Sequence, residues 1–136
     1  MKHSVRALLV MCRERRLSFL EQLDDSRAEV LLACDWDEAQ RVLSRACVDV
    51  IVTDTDADWR RVLDGVRPGE GGPQVVVCAR RVDERLCAEL FRSGAYDVLV
   101  EPYSGEDLLR IMAAAAAKTY MNSLRRPRPA ARAAGL

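Results

Sequence analysis

The most prominent chemistry-bearing side chains of the 136-residue chain are Asp54, Asp56 and Asp58, which alternate directly after an apolar run. This alternation is how a calcium-binding loop begins, because carboxylate oxygens supply most of its ligands. Such a loop also needs glycine at its sixth position and glutamate at its twelfth, and those positions hold Trp59 and Gly65. The pattern therefore predicts no calcium site. We expect Asp56 and Asp58 instead to cap and charge the first turn of a helix.

The other reactive residue types form no catalytic constellation. The only histidine is His3, near the start of the chain, so histidine-assisted nucleophilic catalysis is not available. The five cysteines have no CxxC spacing, which argues against zinc, and their odd number and apolar surroundings are typical of reduced thiols in the cytoplasm. Cys12 and Cys78 each follow an apolar run, and both a redox pair and two inert thiols remain open. We expect no enzyme, no metal and no cofactor.

Charge and hydropathy narrow the classes of partner. Four of the 21 basic residues lie after Tyr120, where there is no acidic residue, so the preceding body carries 17 basic residues against 21 acidic ones. This acidic body argues against nucleic acid as the main partner. No apolar run is long enough for a membrane span or a signal peptide, so we expect a cytoplasmic protein. The Pro/Arg-rich residues 123–136 are predicted to be a disordered basic tail behind one domain over residues 1–122.

Short apolar runs alternate with amphipathic stretches along that domain. The runs, expected to be strands covered on both faces, are residues 7–11, 30–33, 48–52, 75–77 and 98–100. Five strand-then-helix units predict an α/β sandwich of three layers, with a parallel sheet in the flavodoxin-like order 2-1-3-4-5 and five helices. The last helix is expected over residues 105–122. Its alanines at 113–117 favour either close approach of a neighbour or simple helix formation.

Two segments resemble the receiver domain of bacterial response regulators. Residues 48–54, Val-Asp-Val-Ile-Val-Thr-Asp, are similar to the family's third strand with its phosphoacceptor aspartate, here Asp54. Residues 86–102 are similar to its fourth helix and fifth strand, including the Gly94-Ala95 pair, and Pro102 followed by Tyr103 resembles the ending of that strand. The resemblance covers roughly residues 5–120, and it implies a role in two-component phosphorelay signal transduction.

The same resemblance marks a degenerate pocket. By this resemblance, Met11 and Cys12 stand where the family has its two acidic Mg²⁺ ligands. Cys78 stands in place of the family's Thr or Ser, and Glu101 stands in place of the lysine that precedes the proline, here Pro102. A thioether and a thiol give Mg²⁺ no hard oxygen ligands, and a glutamate repels a phosphoryl group where a lysine attracts it. We therefore expect a pseudo-receiver in which Asp54 is a poor phosphoacceptor.

Arg13 is the residue that we expect to replace the missing metal and lysine. It directly follows the first strand and could pair with Asp54 or Glu101 as a fixed positive charge. The alternative, in which Arg13 points into solvent from the first turn of a helix, remains open at this point.

The resulting hypothesis is a receiver-like module that acts by protein–protein interaction. The resemblance implies contact with a protein partner or a second copy through helix 4, strand 5 and helix 5, and the residues expected there are Arg85, Glu89, Arg92, Tyr96 and Tyr103. Trp59 and Phe91 are expected in the core. One alternative is a working phospho-switch, in which a histidine kinase phosphorylates Asp54 and Glu14 helps to hold Mg²⁺. Another is the regulatory part of a DNA-associated regulator whose arginine tail contacts phosphates.

Overall fold

The computed structural model describes residues 5–23 and 28–125, which alternate between strands and helices throughout. The strands are β1 (Val5–Val10), β2 (Ala28–Ala33), β3 (Val50–Asp54), β4 (Gln74–Ala79) and β5 (Asp97–Val100). The helices are α1 (Arg13–Gln22), α2 (Trp36–Leu43), α3 (Trp59–Val66), α4 (Glu84–Arg92) and α5 (Gly105–Arg125), with a short 3-10 helix at Pro68–Glu70. Within these ranges, no helix combines the length and the apolar character that crossing a membrane requires.

The five strands form one parallel sheet in the order β2-β1-β3-β4-β5, which confirms the predicted fold class and strand order. The central strands β1, β3 and β4 are almost wholly buried because helices cover both faces of the sheet. β2 departs from the expectation of burial on both faces. It lies at an edge of the sheet, and Leu32 is exposed there.

Successive side chains of the sheet point into two separate cores. In β1, Leu9 packs with Phe19 of α1 and with Leu108 and Met112 of α5. Leu8 packs on the opposite face, in a core that contains residues of α2, α3 and α4. This alternation follows from the two-residue period of a strand, and it fixes α1 and α5 together on one side of the sheet.

The two aromatic residues expected in the core have different positions. Trp59, the first residue of α3, is buried as expected. The prediction for Phe91 is wrong, because this side chain on α4 is 45% exposed. Leu90 is the residue of α4 that is buried against the sheet, and Phe91 follows it by one position, about 100° further around the helix.

Local sequence signals set the helix ends. The carboxylate of Asp35 accepts a hydrogen bond from Glu38 N (2.9 Å), and Asp107 N donates to Ser104 Oγ (3.0 Å), so that each side chain caps the start of its helix. Gly94 follows α4 with a φ of 109°, in the left-handed region that glycine tolerates best. Asp58 occupies the N-cap position of α3 but makes no capping hydrogen bond.

Helix α5 is longer than predicted and ends at Arg125. The residues 123–125, assigned to a disordered tail from the sequence, are therefore helical. The rest of that tail, residues 126–136, lies outside the described residues.

Candidate functional site at the carboxyl ends of the strands

The ends of β3, β4 and β5 bring the candidate site residues together. Asp54 closes β3 and is paired in register with Cys78 of β4. Glu101 directly follows β5, and its backbone N–H donates to Ala79 O of β4 (2.9 Å). A cis peptide bond joins Glu101 to Pro102. Because parallel strands end at the same edge of a sheet, these side chains meet above it.

Asp54 is a buried carboxylate with both oxygens engaged. Its side chain is 2% exposed. Oδ1 accepts a hydrogen bond from Ala57 N (2.8 Å), and Oδ2 accepts one from Arg15 Nε (3.1 Å). Burial raises the pKa of Asp54 above its ordinary value, and the hydrogen bond and charge of Arg15 oppose that rise. Arg15 therefore offsets part of the free-energy cost of burying the charged Asp54 carboxylate.

Arg15 bridges two carboxylates that belong to different strands. Its Nε donates to Asp54, and its Nη2 donates to Glu101 Oε2 at 2.7 Å. Burial tends to lower the pKa of Arg15, but the two hydrogen bonds outweigh it, so that the pKa lies above its ordinary value. The planar guanidinium presents its donors as a fixed fork, which lets one side chain hold both partners. We call Arg15, Asp54 and Glu101 the arginine clamp.

The geometry of α1 explains why Arg15 fills this position and Arg13 does not. The structure places Arg13 at the first helical residue, where it is exposed, so the prediction that it pairs with Asp54 or Glu101 is wrong. Arg15 lies on the same helix face as Phe19, four residues later, and Phe19 is buried against the sheet. The arginine that pairs with both carboxylates is Arg15, two residues further along the chain.

Cys78 and Tyr103 form the inner wall of the site. Burial raises the pKa of the Cys78 thiol to about 12, and a hydrogen bond with Tyr103 acts in the opposite direction. Burial and the neighbouring Cys78 raise the pKa of the Tyr103 hydroxyl. Both groups are therefore neutral at physiological pH, and Tyr103 faces the pocket rather than only the outer surface.

Many solved structures are similar to this chain over most of its length. A signal receiver domain of an HD domain-containing protein from Pseudomonas fluorescens Pf-5 matches with a TM-score of 0.76 at 20% identity, covering 93% of this chain and 96% of that one. The receiver domain of the Francisella response regulator 1452 matches with a TM-score of 0.72 at 19% identity, over 85% and 99% of the two chains. The chain has the receiver-domain fold.

The receiver fold is also shared with the chemotaxis response regulator CheY4 of Vibrio cholerae, with a TM-score of 0.69 at 23% identity over 82% of this chain and 98% of that one. No protein-family model matches the chain, and no curated protein does. At these identities, the structural similarity establishes the fold, and the chemistry of the site must be judged from this chain's own residues.

The donor set of this receiver-type pocket does not fit Mg²⁺. The residues that line it are Met11, Arg15, Ser18, Phe19, Asp54, Cys78, Glu101 and Tyr103. Mg²⁺ prefers an octahedron of hard oxygen ligands, whereas Met11 and Cys78 offer sulfur. Asp54, the central carboxylate, is already held by a guanidinium and a backbone N–H. In residues 5–23 and 28–125, no group of three or more His, Cys, Asp or Glu side chains is placed to hold a metal ion.

The remaining predicted pocket residues lie around the rim. Cys12 is exposed at the N-cap of α1, and the pocket that contains Cys78 does not include it among its lining residues. Pro102 lines a wider outer cleft together with Arg15 and Arg80. Glu14, the metal ligand of the phospho-switch alternative, is exposed in the first turn of α1.

The predicted interface residues are only partly available to a partner. Arg85 and Arg92 of α4 are exposed. Glu89 binds Arg60 of α3 (2.8 Å). Tyr96 and Tyr103 are partly buried and pack against the core between the sheet and α5. The exposed Phe91, which sequence analysis assigned to the core, lies among the exposed residues of α4.

Proposed function

We propose that this chain is a receiver-fold signalling module that acts through protein contacts and without Mg²⁺-dependent phosphorylation of Asp54. The arginine clamp is the observation that carries this proposal. In it, Arg15, a partly buried cation of the chain itself, donates a hydrogen bond to the aspartate and another to the neighbouring glutamate. The site thus has permanently the positive charge that a receiver obtains from a bound ion.

Phosphorylation of Asp54 would meet two obstacles in this arrangement. Transfer of a phosphoryl group relies on positioning and on neutralisation of charge by cations. Here each oxygen of Asp54 already accepts a hydrogen bond, one from Ala57 N and one from Arg15 Nε, and a phosphoryl group would have to displace or rearrange these contacts. Glu101 adds a negative charge close to any incoming phosphoryl group. Two unit charges at about 4 Å interact with roughly 4 kcal/mol at an effective dielectric constant near 20, so replacing a cation by Glu101 reverses a large contribution.

Without a phosphoryl switch, the domain would work through a surface that it always presents. The exposed residues Arg85, Phe91 and Arg92 of α4 support a protein partner on this side of the molecule. An exposed aromatic ring and two exposed arginines on one helix have the composition of a contact surface, since both residue types are enriched at interfaces.

We expect the melting temperature to remain unchanged when Mg²⁺ and beryllofluoride, a mimic of the phosphoryl group, are added together. A ligand that binds the native state raises its stability, so a working receiver pocket must respond. Differential scanning calorimetry gives the midpoint, and Asp54→Asn is the matched control because it removes the group that the mimic would occupy. A rise in midpoint that the wild type shows and Asp54→Asn lacks would refute the proposal.

A further inference from the structure

Two of the five cysteines follow neighbouring strands at the carboxyl edge of the sheet. Cys12 lies between β1 and α1, at the N-cap position of that helix, and Cys34 directly follows β2. Both side chains are exposed. The strands β1 and β2 are adjacent in the sheet, whereas β3 separates β1 from β4, which carries the buried Cys78. The structure therefore puts Cys34, and not Cys78, beside Cys12.

The register of β1 and β2 gives the separation of these two cysteines. Val10 pairs with Ala33 as the last pair of the two strands. The backbone N–H of Met11 also donates to Ala33 O (3.1 Å), which sets Met11 opposite Cys34 and Cys12 one residue further along. Neighbouring strands lie about 4.8 Å apart and a residue rises about 3.3 Å, so the Cα atoms of the two cysteines are separated by roughly 6 Å. A disulfide joins Cα atoms that are about 4.4–6.8 Å apart.

The backbone holds both cysteines in place at this edge. Cys12 O accepts a hydrogen bond from Arg16 N (2.9 Å) in the first turn of α1, while the Cys12 side chain makes no capping hydrogen bond to that helix. Cys34 N donates to Glu38 Oε1 of α2 at 2.7 Å. The two thiols therefore project from fixed backbone positions, and rotation of the side chains is the main movement that brings the sulfur atoms together.

We propose that Cys12 and Cys34 form a redox site that closes reversibly into a disulfide. The oxidant is a low-molecular-weight disulfide, of which glutathione disulfide is an example. One cysteine thiolate attacks a sulfur of this molecule, so that a mixed disulfide forms and one small thiolate leaves. The second cysteine thiolate then attacks the protein sulfur of the mixed disulfide and releases the other small thiolate. The two protein thiols lose two protons and two electrons in total, and the oxidant is reduced to two thiols.

Oxidation of this site acts on the arginine clamp through helix α1. Cys12 directly precedes α1, and Arg15 lies in the first turn of that helix. Cys34 precedes Asp35, whose carboxylate caps α2. The disulfide thus ties the first turns of two helices together and restricts the movement of Arg15. The inference goes beyond the proposed function and stands independently of it, because thiol–disulfide exchange requires neither Mg²⁺ nor a phosphoryl group.

Equilibration of the full chain with glutathione and glutathione disulfide, followed by alkylation in denaturant and intact-mass spectrometry, tests the site. We expect the wild type to lose two hydrogen atoms and to keep three of its five cysteines open to iodoacetamide. Trypsin should then release a linked pair of peptides, residues 7–13 and 28–41, which hold one cysteine each. Dithiothreitol should restore all five thiols. A wild type that keeps five alkylatable thiols, or that carries only glutathione adducts, would overturn the inference.

Single substitutions identify the two cysteines. Cys12→Ser and Cys34→Ser should each abolish the linked peptides and leave a mixed disulfide with glutathione on the remaining cysteine. Cys47→Ser is the matched control and should form the disulfide as the wild type does, since Cys47 is exposed but precedes β3 at the opposite edge of the sheet. Circular dichroism checks that the variants fold. A disulfide that persists without Cys12 or Cys34, or that requires Cys47, would contradict the assignment.

Amide hydrogen exchange followed by mass spectrometry tests the effect on α1. Peptides that cover the first turns of α1 and α2 should exchange more slowly in the oxidised wild type, because the disulfide opposes local opening of both helix ends. Dithiothreitol should reverse the change, and peptides from α5 provide the internal control. Equal exchange of the α1 peptides in the two redox states would contradict the restriction of Arg15.

Discussion

Replacing Arg15 by alanine should lower the free energy of unfolding by about 2–4 kcal/mol at neutral pH, because it leaves a buried carboxylate without its cation. Asp54 is 2% exposed and Arg15 is 18% exposed, so solvent screens their contact only weakly. Urea unfolding followed by circular dichroism measures the loss. The matched control is Arg13→Ala, on the same helix but exposed, and we expect a change within about 0.5 kcal/mol.

A second substitution at Asp54 and a change of pH each test whether the unpaired charge of Asp54 causes that loss of stability. In Arg15→Ala/Asp54→Asn no charge is buried at this position, so the double variant should be more stable than Arg15→Ala. Burial already raises the pKa of Asp54, and loss of Arg15 raises it further. The folded state then binds a proton more readily than the unfolded state, so the deficit is full above the folded pKa and shrinks as the pH falls through it. An equal deficit at pH 4 and at pH 7 would contradict a role for charge.

Cys78 should make the protein sensitive to alkali. Its thiol has a pKa of about 12 in the folded state, against 9.0 as its ordinary value. Between these values the unfolded chain loses a proton that the folded chain keeps, so stability falls as the pH rises. At pH 11 the loss is on the order of 3 kcal/mol, because each pH unit between the two pKa values contributes roughly 1.4 kcal/mol. Urea unfolding at pH 8 and pH 11, in the presence of a reductant, measures it.

The control for the alkaline loss is a variant that removes the thiol. We expect Cys78→Ala to be less stable than the wild type at pH 8, because it leaves a cavity, but to lose less stability between pH 8 and pH 11. Cys12→Ala removes an exposed thiol and should keep the wild-type pH dependence. If Cys78→Ala loses as much stability on going to pH 11 as the wild type, another group causes the alkaline transition.

The fold could be predicted because several signals in the sequence agree. Short apolar runs identify β1, β3 and β4 as buried strands, and the helical patterns between them require crossover connections. The exposure of Leu32 on β2 and of Phe91 on α4 was harder to predict. Both depend on how far a neighbouring element covers a residue, and apolar character alone does not give that.

The sequence predicts which residues at the strand ends form the site, but it does not predict which arginine contacts them. The strand ends identified Asp54, Cys78 and Glu101, and an arginine after the first strand was expected to pair with Asp54 or Glu101. The segment Arg13-Glu14-Arg15-Arg16 offers three arginines, and proximity to the strand favoured the wrong one. The four-residue interval between Arg15 and the buried Phe19 was the available signal. It becomes decisive only once α1 is known to begin at Arg13.

Incubation with acetyl phosphate and Mg²⁺, followed by intact-mass spectrometry and peptide mapping, tests the central claim that the arginine clamp replaces phosphorylation chemistry. We predict that Asp54 stays unmodified with or without Mg²⁺, because Arg15 and Ala57 hold both of its oxygens and Glu101 repels the donor. Stoichiometric, Mg²⁺-dependent labelling of Asp54 that disappears in Asp54→Asn would contradict the account.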